Sequence, residues 1–408
     1  MKIFPCVIGL GYVGLPIFLR LQKKFKTVGF DSNQSRIIEL NKRIDRNKEF
    51  KKEELSLKNH SIFSHSLDEI KNCNFYIIAV PTPIYKNNKP NISSLKSVSD
   101  NISLILKIGD IIFYESTVYP GTTDFLAKNI LSKKSGLKLG VDFYVGYSPE
   151  RINPGDRIHT LDKISKIVSF NSNKKKIINK VYNVYNLLSK KIIFTKKIKE
   201  AETAKVIENT QRDLNIALMN EILIFCNKLK LDFHLVKKLA STKWNFLNFN
   251  PGLVGGHCLP VDPYYLSHIA FKNGLKLKTI LAGRETNNYM YNYMIDYLKN
   301  ELKKINKNIY NSKIIMLGLT YKENVSDIRN SLALKIFKYL NKFNKRVTCI
   351  DSNISDNDRI KYGIKKKYDK KKKYDVALLL VNHRKHKNIY SNLKNNSKIF
   401  LDLFNFYK

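Results

Sequence analysis

A single cysteine in a glycine-rich turn is the feature of this sequence best suited to chemistry. Cys258 follows Gly255-Gly256-His257 and precedes Asp262 by four residues. A thiolate is a good nucleophile near neutral pH, and its adduct with an aldehyde can still give up a hydride. A thiol positioned beside a carboxylate therefore predicts oxidation through a covalent thioester, provided that an oxidising cofactor binds nearby.

Three glycines near the N-terminus have the spacing of a dinucleotide-binding turn. Gly9, Gly11 and Gly14 follow the apolar pair Val7-Ile8 and lead into a helical pattern. Glycines in this arrangement permit a tight turn, close approach of the backbone to a pyrophosphate, and packing of the helix on the strand. The alternative is a glycine-rich turn that binds no ligand, and the spacing alone leaves both open.

Two charged residues after this turn bear on the choice of cofactor. Asp31 ends the next predicted strand, where a carboxylate accepts hydrogen bonds from the ribose hydroxyls and repels a 2′-phosphate. NAD is therefore favoured over NADP. Arg36 argues the other way, because a nearby guanidinium can accommodate that phosphate.

Two threonines follow predicted strands that belong to the same sheet. Thr82 comes after Phe75–Val80, and Thr117 comes after Ile111–Tyr114. Ligands of open α/β sheets bind outside the carboxyl ends of the strands, so both threonines could reach the cofactor. Either could instead cap the helix that follows it.

A long helix is predicted over residues 198–228, with one polar row. Lys205, Asn209 and Arg212 fall on one face, which could hold an oxyanion and the anionic groups of a substrate. A solvated face is the alternative in a lysine-rich chain. The row lies off the predicted apolar stripe, which comprises Ala204, Ile207, Leu214, Ala217, Leu218, Ile222 and Phe225.

Composition sets the class of protein. The 408 residues are 43% hydrophobic and carry a formal net charge of +39. The length suits several domains. Because the lysine excess is dispersed along the whole chain, we expect nucleic acid to bind only weakly and without sequence preference, and to dissociate as salt rises. We also expect no membrane association, since no run approaches the roughly 20 apolar residues that cross a bilayer.

The cysteines argue for a reducing compartment. There are five, an odd number, and they are widely spaced without any Cys-x-x-Cys pair. This pattern predicts neither a disulfide framework nor a metal site. We expect a cytoplasmic protein.

The order of apolar segments predicts an α/β protein in three parts. Strand-like runs alternate with amphipathic segments in the first half, helical patterns follow, and strand-like runs return near the C-terminus. We expect two Rossmann-like domains joined by a helical central domain. The predicted boundaries are 1–197, 198–302 and 303–408.

Several ordered blocks resemble the UDP-glucose/GDP-mannose dehydrogenase family over nearly the whole chain. The blocks are Gly9–Pro16, Val80–Pro83, Glu115–Thr117, Tyr147–Arg151, Glu202–Lys205 through Glu221, Gly255–Pro263, Gly318–Lys322 and Asp327–Arg329. The resemblance implies an N-terminal NAD-binding domain, a central domain that forms homodimers or higher oligomers, and a C-terminal UDP-binding domain.

The same resemblance implies a four-electron oxidation of a sugar C6 alcohol, with Cys258 forming the thioester. Asp262 would position a water or act as base, Lys205 and Asn209 would stabilise the oxyanion, and Glu150, assisted by Thr117, would activate the hydrolytic water. Residues implied to bind cofactor are Gly9, Gly11, Tyr12, Val13, Gly14, Asp31, Arg36, Thr82, Thr117 and Arg329. Those implied to bind substrate are Glu150, Arg151, Lys205, Asn209, Arg212, Gly252, Gly255 and Lys322.

Within the family, one block resembles enzymes that oxidise UDP-N-acetylhexosamines for surface polysaccharides. Trp244-Asn245-Phe246 precedes the cysteine turn, and Val261 stands where the UDP-glucose branch usually has lysine. UDP-N-acetylglucosamine is the expected substrate, with UDP-N-acetylgalactosamine, UDP-N-acetylmannosamine and UDP-glucose as alternatives.

Two alternatives lie outside this family. The first, a two-electron 3-hydroxyacid dehydrogenase, would not use Cys258. A non-catalytic nucleotide-binding protein requires that Cys258 lie far from the glycine turn.

Overall fold

The chain folds into two compact units in a computed structural model that describes residues 2–47, 49–151, 163–365 and 368–407. The first unit comprises Met1–Glu208 and Tyr264–Leu275, and the second comprises Asn209–Pro263 and Lys276–Lys408. The chain passes between the units three times: within α7 (Ile198–Lys228), within α9 (Asp262–Lys272), and after Leu275.

The first unit is built on an eight-stranded sheet with the order β3-β2-β1-β4-β5-β6-β7-β8. Neighbouring described strands run parallel, apart from the antiparallel pair β6 and β7. This confirms the mostly parallel sheet predicted from the alternating pattern. The strands are β1 (Pro5–Ile8), β2 (Val28–Phe30), β3 (Ile62–Ser64), β4 (Phe75–Ile78), β5 (Ile111–Tyr114), β6 (Tyr144–Tyr147), β7 (Ser165–Phe170) and β8 (Lys191–Thr195).

Two of these strands, β3 and β7, are additional to the predicted ones. β3 has only three residues, and β7 carries Lys166 and two serines, so neither has a strong apolar run. The interior strand β1 begins at Pro5, and the first position of a strand is where the missing N–H of proline is least costly.

Helices cover both faces of the first sheet, and an apolar core lies on each side of it. This explains why β1, β4 and β5 are buried at every position. The helices are α1 (Gly14–Leu21), α2 (Gln34–Asn41), α3 (Ser93–Ser103), α4 (Thr122–Leu126), α5 (Lys133–Ser135) and α6 (Lys175–Leu188), with a π-helical segment, Ala127–Ser132, between α4 and α5.

The second unit contains the later part of α7, further helices and a four-stranded parallel sheet with the order β10-β9-β11-β12. The strands are β9 (Ile314–Leu317), β10 (Val347–Ile350), β11 (Tyr374–Leu379) and β12 (Ser397–Leu401). The helices are α8 (Phe233–Ala240), α10 (Lys278–Lys303), α11 (Leu332–Phe343), α12 (Asp356–Lys361) and α13 (Lys387–Asn395). This second α/β sheet confirms the predicted fold class.

Helix α7 has the predicted bounds, but three residues of the predicted apolar stripe are not buried. Ile207, Leu218 and Phe225 are each about half exposed, with exposed fractions of 50%, 51% and 58%. The buried face instead carries polar groups with buried partners, such as Asp213, which accepts from Arg284 at 2.6 Å. Partners from distant parts of the chain make these polar positions suitable for burial.

No helix within the described residues is both long enough and apolar enough to span a membrane.

Candidate active site

The glycine turn after β1 has the geometry that a pyrophosphate requires. Gly9 has φ of +91°, and a Cβ there would lie 2.6 Å from the Ala79 carbonyl oxygen. A Cβ on Gly14 would lie 1.8 Å from the Gly9 oxygen, so the helix can pack this closely only without a side chain. At Gly11 a Cβ would meet no atom within 4 Å, which leaves open space over the backbone. The turn therefore fits a dinucleotide, with room for the phosphates above Gly11 and the start of α1.

Asp31 and Arg36 both contact this turn. The Asp31 carboxylate accepts from the backbone N–H groups of Leu10 and Asn33, each at 2.9 Å. Arg36 is buried, and its Nε donates to the Leu10 carbonyl at 3.0 Å. Its guanidinium also lies 2.9 Å from the buried Asp45 carboxylate. Arg36 is therefore paired with Asp45 and bonded to the turn, and its role at the cofactor stays a prediction.

Thr82 and Thr117 lie together beyond β4 and β5. The Thr82 hydroxyl donates to the Thr117 carbonyl at 2.6 Å. Neither threonine caps a helix, since α3 follows Ile92 and α4 follows Gly121. The helix-cap alternative is therefore wrong, and their role at the cofactor stays a prediction. Tyr12 and Val13 complete the turn before α1.

Glu150 follows β6 and belongs to a buried group of charges. Lys166 on β7 lies 2.6 Å from Glu115 and 3.2 Å from Glu150. Burial raises the pKa of the Glu115 carboxyl to about 7, although Lys166 lowers it. Burial alone would lower the pKa of Lys166, but the two carboxylates outweigh burial and raise it.

Arg151 is held beside Glu150. Its backbone N–H donates to the Glu150 carboxylate at 2.7 Å, and its guanidinium pairs with Glu208 at 2.7 Å. In the first unit, the glycine turn, Asp31, Thr82, Thr117 and Glu150 all follow the carboxyl ends of parallel strands. The structure thus brings these predicted residues to one edge of the sheet.

Lys205 lies on the part of α7 that belongs to the first unit, and it is only 7% exposed. The solvated-face alternative is therefore wrong for Lys205. Asn209 is half-buried, and Arg212 is exposed and fits the solvated alternative.

One turn before Lys205, Glu202 joins α7 to the segment after Thr117. Its carboxylate accepts from the backbone N–H groups of Gly121 at 2.5 Å and Thr123 at 2.8 Å, at the start of α4. Burial raises the pKa of Glu202 to about 7, which these two bonds offset only in part. Sequence reasoning missed this capping role of Glu202, because it depends on a contact across 81 residues.

The raised pKa of Glu202 predicts a pH-dependent loss of stability. The native state holds this proton more tightly than the unfolded chain, so stability falls as pH rises from about 4.5 to about 7, by up to about 3 kcal/mol. Glu202→Gln cannot ionise and should make this part of the curve less steep, measured by urea unfolding across that range; the contribution of Glu115, whose pKa is also about 7, remains. The exposed Glu200→Gln variant should keep the wild-type slope, and an unchanged slope in Glu202→Gln would contradict the assignment.

The second unit holds Cys258 beside the start of α9. Asn209 Nδ2 donates to Asp262 Oδ2 at 2.6 Å, and the Asp262 N–H donates to the Cys258 carbonyl at 2.9 Å. Cys258 is half-buried, whereas the other four cysteines are buried. Three predicted catalytic residues, Asn209, Cys258 and Asp262, are thus close together in this unit, and Cys258 is the least buried of the five cysteines.

The glycines before Cys258 permit a close approach to the segment after β9. A Cβ on Gly255 would lie 2.8 Å from the Asn330 carbonyl, and one on Gly256 would lie 2.7 Å from the Tyr321 ring. The Gly256 N–H donates to the Arg329 carbonyl at 3.0 Å. The cysteine turn is therefore fixed against the segment that carries Lys322 and Arg329.

The remaining predicted residues of the second unit have defined places. The Gly252 N–H donates to the Asn220 side chain at 2.8 Å. Lys322 lies in the turn after β9, where its carbonyl accepts from Thr320 at 2.8 Å. The Arg329 guanidinium pairs with Asp327 at 2.5 Å and contacts His257 at 3.2 Å.

The turn after β9 repeats the design of the first glycine turn. Gly318 has φ of +85°, and the Leu319 N–H donates to Asp351 Oδ2 at 2.6 Å, as the Leu10 N–H does to Asp31. The buried His383 contacts Asp351 at 3.1 Å, and this bond helps to lower the pKa of Asp351 to about 2 despite its burial. Sequence reasoning missed this carboxylate, although its position directly after a strand is a detectable signal.

Comparison with known proteins agrees with this arrangement. Residues 1–188, 199–289 and 315–408 match the NAD binding, central and UDP binding domains of the UDP-glucose/GDP-mannose dehydrogenase family. UDP-N-acetyl-D-glucosamine 6-dehydrogenase of Salmonella typhi is 44% identical over 94% of this chain and 91% of its own. The protein of the same name from Pseudomonas aeruginosa is 42% identical over the same shares.

A solved structure is also similar over the whole chain. The UDP-D-ManNAc dehydrogenase of Pyrococcus horikoshii superposes with a TM-score of 0.88 and 29% identity, covering 100% of this chain and 96% of that one. The chain therefore belongs to the UDP-glucose/GDP-mannose dehydrogenase family and is an NAD-dependent UDP-sugar dehydrogenase.

Proposed function

We propose that this enzyme oxidises the C6 alcohol of UDP-N-acetylglucosamine to the acid, in two steps that use Cys258, for surface polysaccharide synthesis. The observation that carries the proposal is the half-buried Cys258, whose carbonyl accepts from the backbone N–H of Asp262, beside the hydrogen-bonded side chains of Asn209 and Asp262. The two relatives named for this substrate support the choice of sugar. The buried Val261, where a UDP-glucose enzyme usually has lysine, supports it further.

The first half-reaction produces an aldehyde at C6. The glycine turn would hold NAD, which would supply the hydride acceptor for each oxidation. Asp262 takes the alcohol proton, and its hydrogen bond from Asn209 fixes the orientation of the carboxylate. Lys205 and Asn209 donate to the oxygen as negative charge develops there, and loss of one such donor typically costs about 3 kcal/mol of barrier.

The second half-reaction proceeds on the cysteine. The Cys258 thiolate adds to the aldehyde carbon, and the resulting thiohemiacetal loses a hydride to become a thioester. Glu150 then takes a proton from water, the hydroxide adds to the thioester carbonyl, and the C–S bond breaks. The products are the sugar acid and the free cysteine. Thr117 assists this step, and Arg151, Arg212, Gly252, Gly255 and Lys322 bind the UDP-sugar.

A panel of UDP-sugars tests the choice of substrate. The highest kcat/KM should be for UDP-N-acetylglucosamine, followed by UDP-N-acetylgalactosamine, with UDP-glucose far behind. UDP-N-acetylmannosamine belongs in the panel because a similar structure is a dehydrogenase of that sugar. A clear preference for UDP-glucose or UDP-N-acetylmannosamine would contradict the proposed substrate and leave the chemistry untouched.

Cofactor choice depends on Asp31. Wild type should prefer NAD in kcat/KM, and Asp31→Ala should narrow the preference by roughly tenfold or more, because the charge that repels a 2′-phosphate is lost. Asp31 also accepts a hydrogen bond from the Leu10 N–H. Asp31→Asn removes the charge but retains an acceptor oxygen for this bond, so it is the variant matched to Asp31→Ala. A wild type that prefers NADP would show that Asp31 has another role.

We further propose that the enzyme is a cytoplasmic homodimer with the three domains predicted from its sequence. Its five dispersed cysteines, an odd number, suit a reducing compartment.

Large apolar side chains of the central region are exposed, including Leu239 at 61% and Trp244 at 92%, and a second copy would cover them. Sedimentation equilibrium should give twice the chain mass, and Leu239→Lys should shift it towards the monomer. A monomeric wild type at micromolar concentration would contradict the dimer.

A further inference from the structure

The buried lysine on β7 has no catalytic, cofactor-binding or substrate-binding role in the proposed mechanism. Lys166 is 2% exposed, and the two carboxylates that it contacts, Glu115 and Glu150, are 1% and 7% exposed. A lysine is rarely buried to this extent unless it is paired. The three residues come from three segments of the first unit: the end of β5, the end of β6, and β7.

Glu115 holds the ammonium group of Lys166, and this ammonium group in turn holds Glu150. Lys166 Nζ lies 2.6 Å from Glu115 Oε2, and the Tyr185 hydroxyl donates to Glu115 Oε1 at 2.9 Å. Glu115 is therefore fixed between two donors and in turn fixes the ammonium group. The ammonium donates to Glu150 Oε2 at 3.2 Å.

The Glu150 carboxylate is consequently bonded at both oxygens. Oε2 accepts from Lys166, and Oε1 accepts from the Arg151 N–H at 2.7 Å. Two donors on different oxygens fix the plane of the carboxylate. A carboxylate oxygen has two lone pairs, so one such bond at each oxygen is compatible with Glu150 taking a proton from water.

We propose that Lys166 is a positioning residue for thioester hydrolysis, holding Glu150 in the orientation in which it takes the proton from water. This inference rests on the proposed function, in which Glu150 is the hydrolytic base. The proton passes from water to Glu150, hydroxide adds to the acyl carbon, and the thiolate leaves. Lys166 contacts Glu150 and acts through it.

The kinetic test separates hydrolysis from the earlier steps. Lys166→Met should lower kcat by about 100-fold, because misplacement of a catalytic group by about 1 Å has effects of that size. The kcat/KM for the UDP-sugar should stay within about twofold, since it reports the steps up to the first NADH release. A burst of about two NADH per active site should precede the slow phase. A purely structural role for Lys166 would lower both constants together.

Charge balance requires a second pair of variants. Lys166→Met leaves two buried carboxylates without their cation, which can prevent folding. Glu115→Gln removes only the negative charge of Glu115 and keeps an acceptor oxygen for Lys166. This variant should keep kcat within about threefold. The double variant Lys166→Met/Glu115→Gln buries one carboxylate fewer, and it should fold and remain about 100-fold slow.

The outcomes distinguish the alternatives. A double variant with restored kcat would show that Lys166 only neutralises Glu115, and it would overturn the proposal. Lys180→Met removes another buried lysine of the same unit, and its kcat should match wild type. Two NADH per acid in wild type with an unchanged kcat in the Lys166 variants would overturn the role of Lys166 alone. One NADH per product in wild type would overturn the proposed function and this inference together.

Discussion

Replacing Cys258 by alanine should stop formation of the sugar acid, with a loss of at least about 10³-fold, because neither the thiohemiacetal nor the thioester can form without the thiol. Binding of the UDP-sugar should survive, since Asn209, Asp262 and the glycine turn before Cys258 stay in place. Acid formation is measured by chromatography, and binding is measured by calorimetry.

Two further variants make this result specific to the Cys258 thiol. Cys226 is buried on α7, so Cys226→Ala should keep near-normal turnover and lose only about 1–2 kcal/mol of stability. Cys258→Ser should trap an ester, since an alkoxide leaves less readily than a thiolate. Near-normal acid production by Cys258→Ala would contradict the thioester route.

Replacing Glu150 by glutamine should separate oxidation from hydrolysis. The thiol is intact, so both hydride transfers proceed and a burst of about two NADH per active site appears. Steady-state turnover should then fall by roughly 10²- to 10³-fold, because glutamine cannot take the proton from water. Stopped-flow absorbance at the NADH band measures both phases.

The matched control for Glu150 is an exposed glutamate of the same unit. Glu200→Gln should leave the burst and the steady-state rate unchanged. A Glu150→Gln enzyme that hydrolyses the thioester at the wild-type rate would assign the proton transfer to another group. Loss of the burst itself would place Glu150 in the oxidation steps.

Local patterns were enough to predict the residues around the cofactor turn. The strand before Gly9, the helix from Gly14 and the position of Asp31 depend on neighbours in the chain, and all three are confirmed. The bounds of α7 also follow from its own sequence. Such features need no knowledge of distant contacts.

The buried face of α7 could not be predicted in this way. Asp213 and Asn220 are buried because Arg284 and Asn287, about 70 residues away, supply their hydrogen bonds. A periodicity argument assigns such polar positions to solvent. It therefore placed half-exposed residues such as Phe225 in the core.

Lys166 shows the same limit at the site itself. Its burial depends on Glu115 and Glu150, which lie 51 and 16 residues away and come together only at the sheet edge. In a chain with 73 lysine and arginine residues, one more lysine carries no signal. The ion pair of Arg36 with Asp45 likewise depends on the fold, and the sequence pattern alone did not predict it.

The most direct test of the thioester mechanism is the ratio of NADH formed to sugar acid formed by the wild-type enzyme with UDP-N-acetylglucosamine. Absorbance gives the NADH, and chromatography of the same reaction gives the acid and any free aldehyde. The mechanism predicts two NADH per acid, with no aldehyde accumulating at any time. A ratio of one NADH per product, with the aldehyde or ketone released, would contradict it and identify a simple two-electron dehydrogenase.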